Sequence, residues 1–254
     1  MTSGRGILRA PHAENSNRIE STVRGFENLA RLRVGDAARL WLEAGLDARP
    51  AMSFDPIYAM CCSNAGAALI LLASPDHAER CLREAEEAWL RVIAGITTLA
   101  VPITGASSSF HFRLAATAPD SLINARKDRY RQLAATALAI TRFNHGLVDL
   151  DASPVIAAHA AELRSIVAEG FGPTSAEARL LDAEANDPTS AAELYLAKHT
   201  DLATRSQTFA SALSEECGAL ESAVALTVLL SPSLLRTPVH PAITPNATCY
   251  NELE

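Results

Sequence analysis

Apolar residues return every three or four positions through most of this chain, and the strict alternation that marks a half-buried strand is almost absent. The clearest case is residues 58–89. Ala59, Cys62, Gly66, Leu69 and Ala73 fall on one stripe of a helix, and most of them are small. Ser74-Pro75-Asp76 then interrupts the pattern, with Pro75 suited to the first turn of a new helix and Ser74 or Asp76 able to accept from its free amides. The second helix sets Ala78, Leu82, Ala85 and Trp89 on one side and Glu79, Arg83, Glu86 and Glu87 around the other. The two predict an antiparallel hairpin crossed closely at its small residues.

The same periodicity predicts helices over 18–32 and 36–46, a turn across 48–56, and a helix start at Asp55-Pro56. After Trp89 an apolar run extends to Val101 and stops at Pro102. Residues 104–109 read as a loop, 110–118 as a short helix, and 122–143 as a long one ending near Gly146 in a left-handed cap. Ser153-Pro154 opens a helix to Glu169, closed by Gly170-Phe171-Gly172-Pro173. Thr174-Ser175-Ala176-Glu177 has the form of a capping box for a helix ending by Asn186. Asp187-Pro188 starts a helical region running to Leu230, with a break near Thr200 or Gly218. Pro232, Pro238, Pro241 and Pro245 prevent a single helix beyond it. The organisation expected is a flexible segment 1–17, one all-helical domain 18–230 and a Pro-rich tail 231–254.

Gly66, Ala78, Leu82 and Ala85 have counterparts in Gly25, Ala37, Trp41 and Ala44, each 41 residues earlier, and Pro50 follows the earlier set. A small residue midway in the first helix and an alanine, bulky, alanine series in the second resembles the tetratricopeptide family over roughly residues 18–93. The interval exceeds that family's usual repeat of about 34 residues, so a longer connection around 49–56 is required. The resemblance implies an all-α fold of antiparallel hairpins stacked as a short tetratricopeptide-like solenoid, with an irregular helical bundle as the other form. It also implies a concave groove that holds a protein or peptide partner, with Asn64 facing it.

Composition changes this picture little. Of 254 residues, 48% are hydrophobic, 20% charged and 5% aromatic, as suits alanine-rich helices. The net charge of −7 disfavours a nucleic-acid partner. No uninterrupted apolar stretch suits a membrane span, and residues 1–17 lack a secretory apolar run, so a cytoplasmic protein is expected. Cys61, Cys62, Cys81, Cys217 and Cys249 read as reduced thiols, mostly in the core. Association as a homodimer is an expectation from the alanine-rich helix edges.

Candidate chemistry is sparse. Ser107, Ser108 and Ser109 follow a glycine but lack the strand and second glycine of a nucleophile elbow. His159 and Glu162 are three apart, yet no matching set completes a helical metal centre, and Glu193 and His199, six apart, miss one helix face. No glycine-rich nucleotide cradle is present, so no cofactor or metal is expected. Phe110, His111 and Arg113 group an aromatic, a histidine and an arginine, and Arg126, Lys127, Arg129 and Tyr130 form a basic start to the long helix, although helical geometry spreads them around the axis. With Asn64 these are the expected partner-binding residues. The function they support is a helical interaction scaffold or accessory subunit binding a protein or peptide. The alternative is an all-helical enzyme or small-molecule binder with a buried pocket, lined by His111, His145 or His159, that leaves no local motif.

Overall fold

The computed structural model describes residues 11–46, 55–98, 120–148, 153–208 and 218–236. Every regular element among them is helical: α1 (Pro11–Ala30), α2 (Val34–Leu46), α3 (Pro56–Leu71), α4 (Pro75–Thr98), α5 (Asp120–Gly146), α6 (Ser153–Phe171), α7 (Ala176–Asn186), α8 (Pro188–Ser206), α9 (Gly218–Ala225) and the short α10 (Pro232–Arg236). The expected short helix at 110–118 and most of the tail lie outside the described residues. None of the described helices is long and apolar enough to cross a membrane.

Each helix from α1 to α8 packs on the next, and α8 packs back on α1, so the circuit closes. The solvent-facing alternation expected of α4 is present: Ala78, Leu82, Ala85 and Trp89 are fully buried while Glu79, Arg83 and Glu87 keep charge outward. α3 differs from the single-stripe expectation. It is buried on every side, because α2, α4, α5 and α9 all contact it, as an all-round apolar sequence requires.

The 41-residue correspondence holds in three dimensions. A Cβ on Gly66 would lie 2.5 Å from Leu82 Cγ, and one on Gly25 would run into the Trp41 indole, so in each hairpin a glycine receives the bulky residue of the next helix. Both first helices end alike. Leu32 (φ 59°) and Ala73 (φ 54°) turn the chain left-handed, while Arg33 and Ser74 donate their amides to the carbonyls of Asn28 and Leu69 at 2.8 and 3.0 Å. This is the closing pattern usually given to glycine. Phe26 packs edge-on against Trp41 with ring centroids 5.0 Å apart.

A buried ion pair ties the first unit to the second. Arg18 on α1 reaches Asp55 at 2.6 Å and donates to the Ala44 carbonyl at the end of α2. Asp55 caps α3 as expected, accepting from the amides of Ile57 and Tyr58.

Two departures from expectation in the second half concern where helices end. Helix does not continue to Leu230: α9 ends at Ala225, and residues 227–231 are non-helical yet fully buried. Asn64 of α3 donates to the Leu226 carbonyl and accepts from the Val228 amide; Asn144 of α5 donates to the Val228 carbonyl and accepts from the Leu230 amide, all within 2.7–3.0 Å. Taking the N–H and C=O of every second residue is how a neighbouring strand would pair, and here two side-chain amides replace it. Their cost of burial is thereby offset. Ser63 and Thr141 hydroxyls, 2.9 Å apart, extend this polar seam between α3 and α5. The second departure is Gly146, which ends α5 without a left-handed turn; among described glycines, that conformation belongs to Gly172 (φ 97°), after α6.

Candidate functional site

A cleft of about 510 Å³ opens where α5, the α6–α7 connection, α8 and α9 meet, with Leu133, Phe171 and Ala225 as apolar walls. Its charged groups come from four helices: Arg129 from α5, Glu177 from α7, Asp201 and Arg205 from α8, and Glu221 from α9.

Local structure places each one. Ser175, and not Thr174, is the cap of α7, accepting from the Ala178 amide at 3.2 Å. The capping-box reading is therefore shifted by one residue, and Glu177 does not turn back to a cap. Instead it is buried, with its carboxylate 3.1 Å from Lys198 Nζ and 3.7 Å from Arg205. Asp201 lies one turn before Arg205 on α8 and pairs with it at 2.9 Å. Arg205 also donates to the Ala225 carbonyl, which fixes α9 to α8. Arg129 donates to the Gly170 carbonyl at 3.3 Å, closing the α5 side.

Electrostatics single out this region. Burial alone would raise the Glu177 pKa, but the Lys198 ammonium and the Arg205 guanidinium outweigh it and hold the carboxyl below its usual range. Burial also pulls Lys198 down against the attraction of Glu177. The second cation, Arg205, keeps the Glu177 carboxylate ionised. Next to Lys198 in sequence, burial lowers His199 to about 3, and one turn earlier burial raises Tyr195. Their rings meet edge-to-face at 4.3 Å, and neither the Tyr195 hydroxyl nor the His199 nitrogens have a hydrogen-bond partner among the described residues. A buried titratable group that borders a cleft is a physical marker of function, and Glu177 lines this one.

The residues expected to bind a partner are not brought together. Asn64 is fully buried and its amide is spent on the chain's own residues 226–228, so it makes a backbone contact of the expected kind, but inside the fold. Arg129 reaches the cleft. Lys127 is half-buried beside it in sequence, Tyr130 packs against the core, Arg131 pairs with Asp128, and Arg126 lies on the same helix. Phe110, His111 and Arg113 lie outside the described residues. The pocket histidines expected also disperse: His145 pairs with Glu86, whereas His159 with Glu162 rims an open groove of about 530 Å³ between α5 and α6.

No group of three His, Cys, Asp or Glu side chains among the described residues could hold a metal. Cys62 and Cys81 line a smaller hollow between α3 and α4, and burial pushes the Cys81 thiol up to about 11 and Cys62 higher still. Burial thus favours the thiol form of both over the thiolate at neutral pH.

Glu177, Lys198, Asp201, Arg205 and Glu221 were not legible as a site. The i,i+4 pair Asp201 and Arg205 looks like any surface pair, and Tyr195 with His199 is an ordinary helical spacing. Comparison with protein-family models, with curated proteins and with solved structures finds no match.

Proposed function

We propose that this protein is a helical interaction scaffold or accessory subunit that holds a protein or peptide partner at the charged cleft between α5, α7, α8 and α9. The observation that carries the reading is the cleft itself: an open concavity in which guanidinium and carboxylate groups are fixed by helix packing and set against apolar walls. Such groups form charge-assisted contacts at little further cost in side-chain ordering. The glycine-seated hairpins α1–α2 and α3–α4, repeating at 41 residues, support kinship with tetratricopeptide proteins, which act by holding partners. On this reading the groove at Asn64 is filled by residues 226–231, and partners engage the cleft instead. A cytoplasmic setting and a homodimer belong to the same proposal, and the net charge of −7 argues for a partner other than nucleic acid.

The test is purification of the tagged full chain from its native host at low and moderate salt, beside an Arg129→Glu variant. A stoichiometric protein retained by the natural chain and lost from the variant is the expected result. A second reading, a small-molecule binder or enzyme, is favoured by the unpartnered Tyr195 hydroxyl and His199 nitrogens. Recovery of a bound metabolite with no protein partner would replace the first reading by this one.

A further inference from the structure

Charge in the cleft divides unevenly. Glu177 is shared by Lys198 and Arg205, and Asp201 is held by Arg205, so these four groups neutralise one another. Two lining groups of opposite sign remain without an ion pair among the described residues: Arg129 on α5 and Glu221 on α9. Both are exposed. Arg129 spends one N–H on Gly170 and keeps the rest of its fork for a ligand.

The two groups come from different helices of the lining, Arg129 from α5 and Glu221 from α9. The lining also includes Ser175, whose oxygen accepts as the cap of α7 and whose hydroxyl hydrogen is still free to donate. The α8 and α9 side offers Glu221 and the paired Asp201. The apolar part of the same lining is Leu133, Phe171 and Ala225. A polyanion is disfavoured because three carboxylates line the cleft, and a cation alone would leave Arg129 unanswered. The volume of about 510 Å³ sits in the range of small-ligand sites, roughly 300–1,000 Å³.

We propose that the cleft recognises a short zwitterionic peptide segment, with a carboxylate on Arg129, an ammonium on Glu221 and an apolar side chain against Leu133 and Phe171. This rests on the reading of the cleft as the partner-binding site and specifies what it reads in that partner. The smallest probe is the tripeptide glycyl-leucyl-glycine, whose own termini supply both charges.

Calorimetric titration of the full chain with this tripeptide, its N-acetyl form and its C-terminal amide tests the assignment. The free tripeptide binds saturably, and each cap weakens binding about tenfold or more through loss of one charge-assisted contact. Arg129→Gln removes the discrimination against the amide, and Glu221→Gln removes that against the acetylated form. Both residues are exposed, and unchanged melting of the variants confirms that only recognition was altered. Equal binding of all forms, or no saturable binding of any, overturns the zwitterion assignment. If the tripeptide fails while a co-purifying protein is still lost on Arg129→Gln, this inference falls and the proposed function stands. If that protein is retained regardless of Arg129, the cleft is not the partner site and both fall.

Discussion

The hairpins α1–α4 and the region α6–α9 are built from the same alanine-rich material, yet they spend buried polarity differently. In the first, buried charge among the described residues is confined to Arg18 and Asp55, which tie three chain segments together, and the crossings are made by glycine against a bulky residue. In the second, Glu177, Lys198 and His199 are buried, with Glu177 lining a cleft, and a buried non-helical segment is held by Asn64 and Asn144. Replacing an ion pair by apolar groups would often be neutral or stabilising. On the proposed function, the second buried pair helps to shape the cleft that Glu177 lines.

Breaking the first region should cost most. Asp55→Ala leaves Arg18 buried without its carboxylate and removes the cap of α3, an expected loss of about 3–5 kcal/mol, readable as a lower urea midpoint at unchanged m-value. Gly66→Leu comes next. The new side chain would be driven into Leu82, with a loss of about 1–3 kcal/mol. A melting temperature equal to that of the parent would show that the crossing is not tight.

A pH titration sharpens the comparison from the other side. His199 has its pKa lowered to about 3 by burial, against about 6.5 in an unfolded chain. Its contribution is therefore complete above pH of about 6.5 and lost as pH falls towards about 3, at up to about 1.4 kcal/mol per pH unit. His199→Leu should flatten this acid limb. An acid limb identical in the variant would mean that His199 is not buried in its neutral form.

The smallest effect belongs to the first region again. Ala73 is exposed and holds a left-handed φ of 54°, a strain of about 1–2 kcal/mol for a residue with a Cβ. Ala73→Gly should raise stability by about 1 kcal/mol or less, because the added freedom of the unfolded glycine offsets part of the relief.

These differences also explain what the sequence could show. The hairpin at 58–89 was legible because its determinants are local: Asp55-Pro56 and Ser74-Pro75 bound the helices, and Gly66 and Leu82 are set by spacing alone. Even the 41-residue repeat reached the turn geometry at Leu32 and Ala73, where no glycine advertised it. The central segment was not legible. Leu226 to Leu230 has the composition of a buried helix, and only Asn64 and Asn144, 162 and 84 residues away from their carbonyl partners, make the non-helical form affordable. The cleft was hidden for the same reason. Arg129 was visible as part of a basic run, but Glu177 and Lys198 find each other only through the packing of α7 on α8.

The most direct measurement is the stability of the double variant Glu177→Leu/Lys198→Met together with its retention of the co-purifying partner. The account predicts a melting temperature equal to or above that of the parent and loss of the partner, because Glu177 lines the cleft and pairs there with Arg205. A strongly destabilised variant that still holds its partner would place the pair in the structural core and contradict the account.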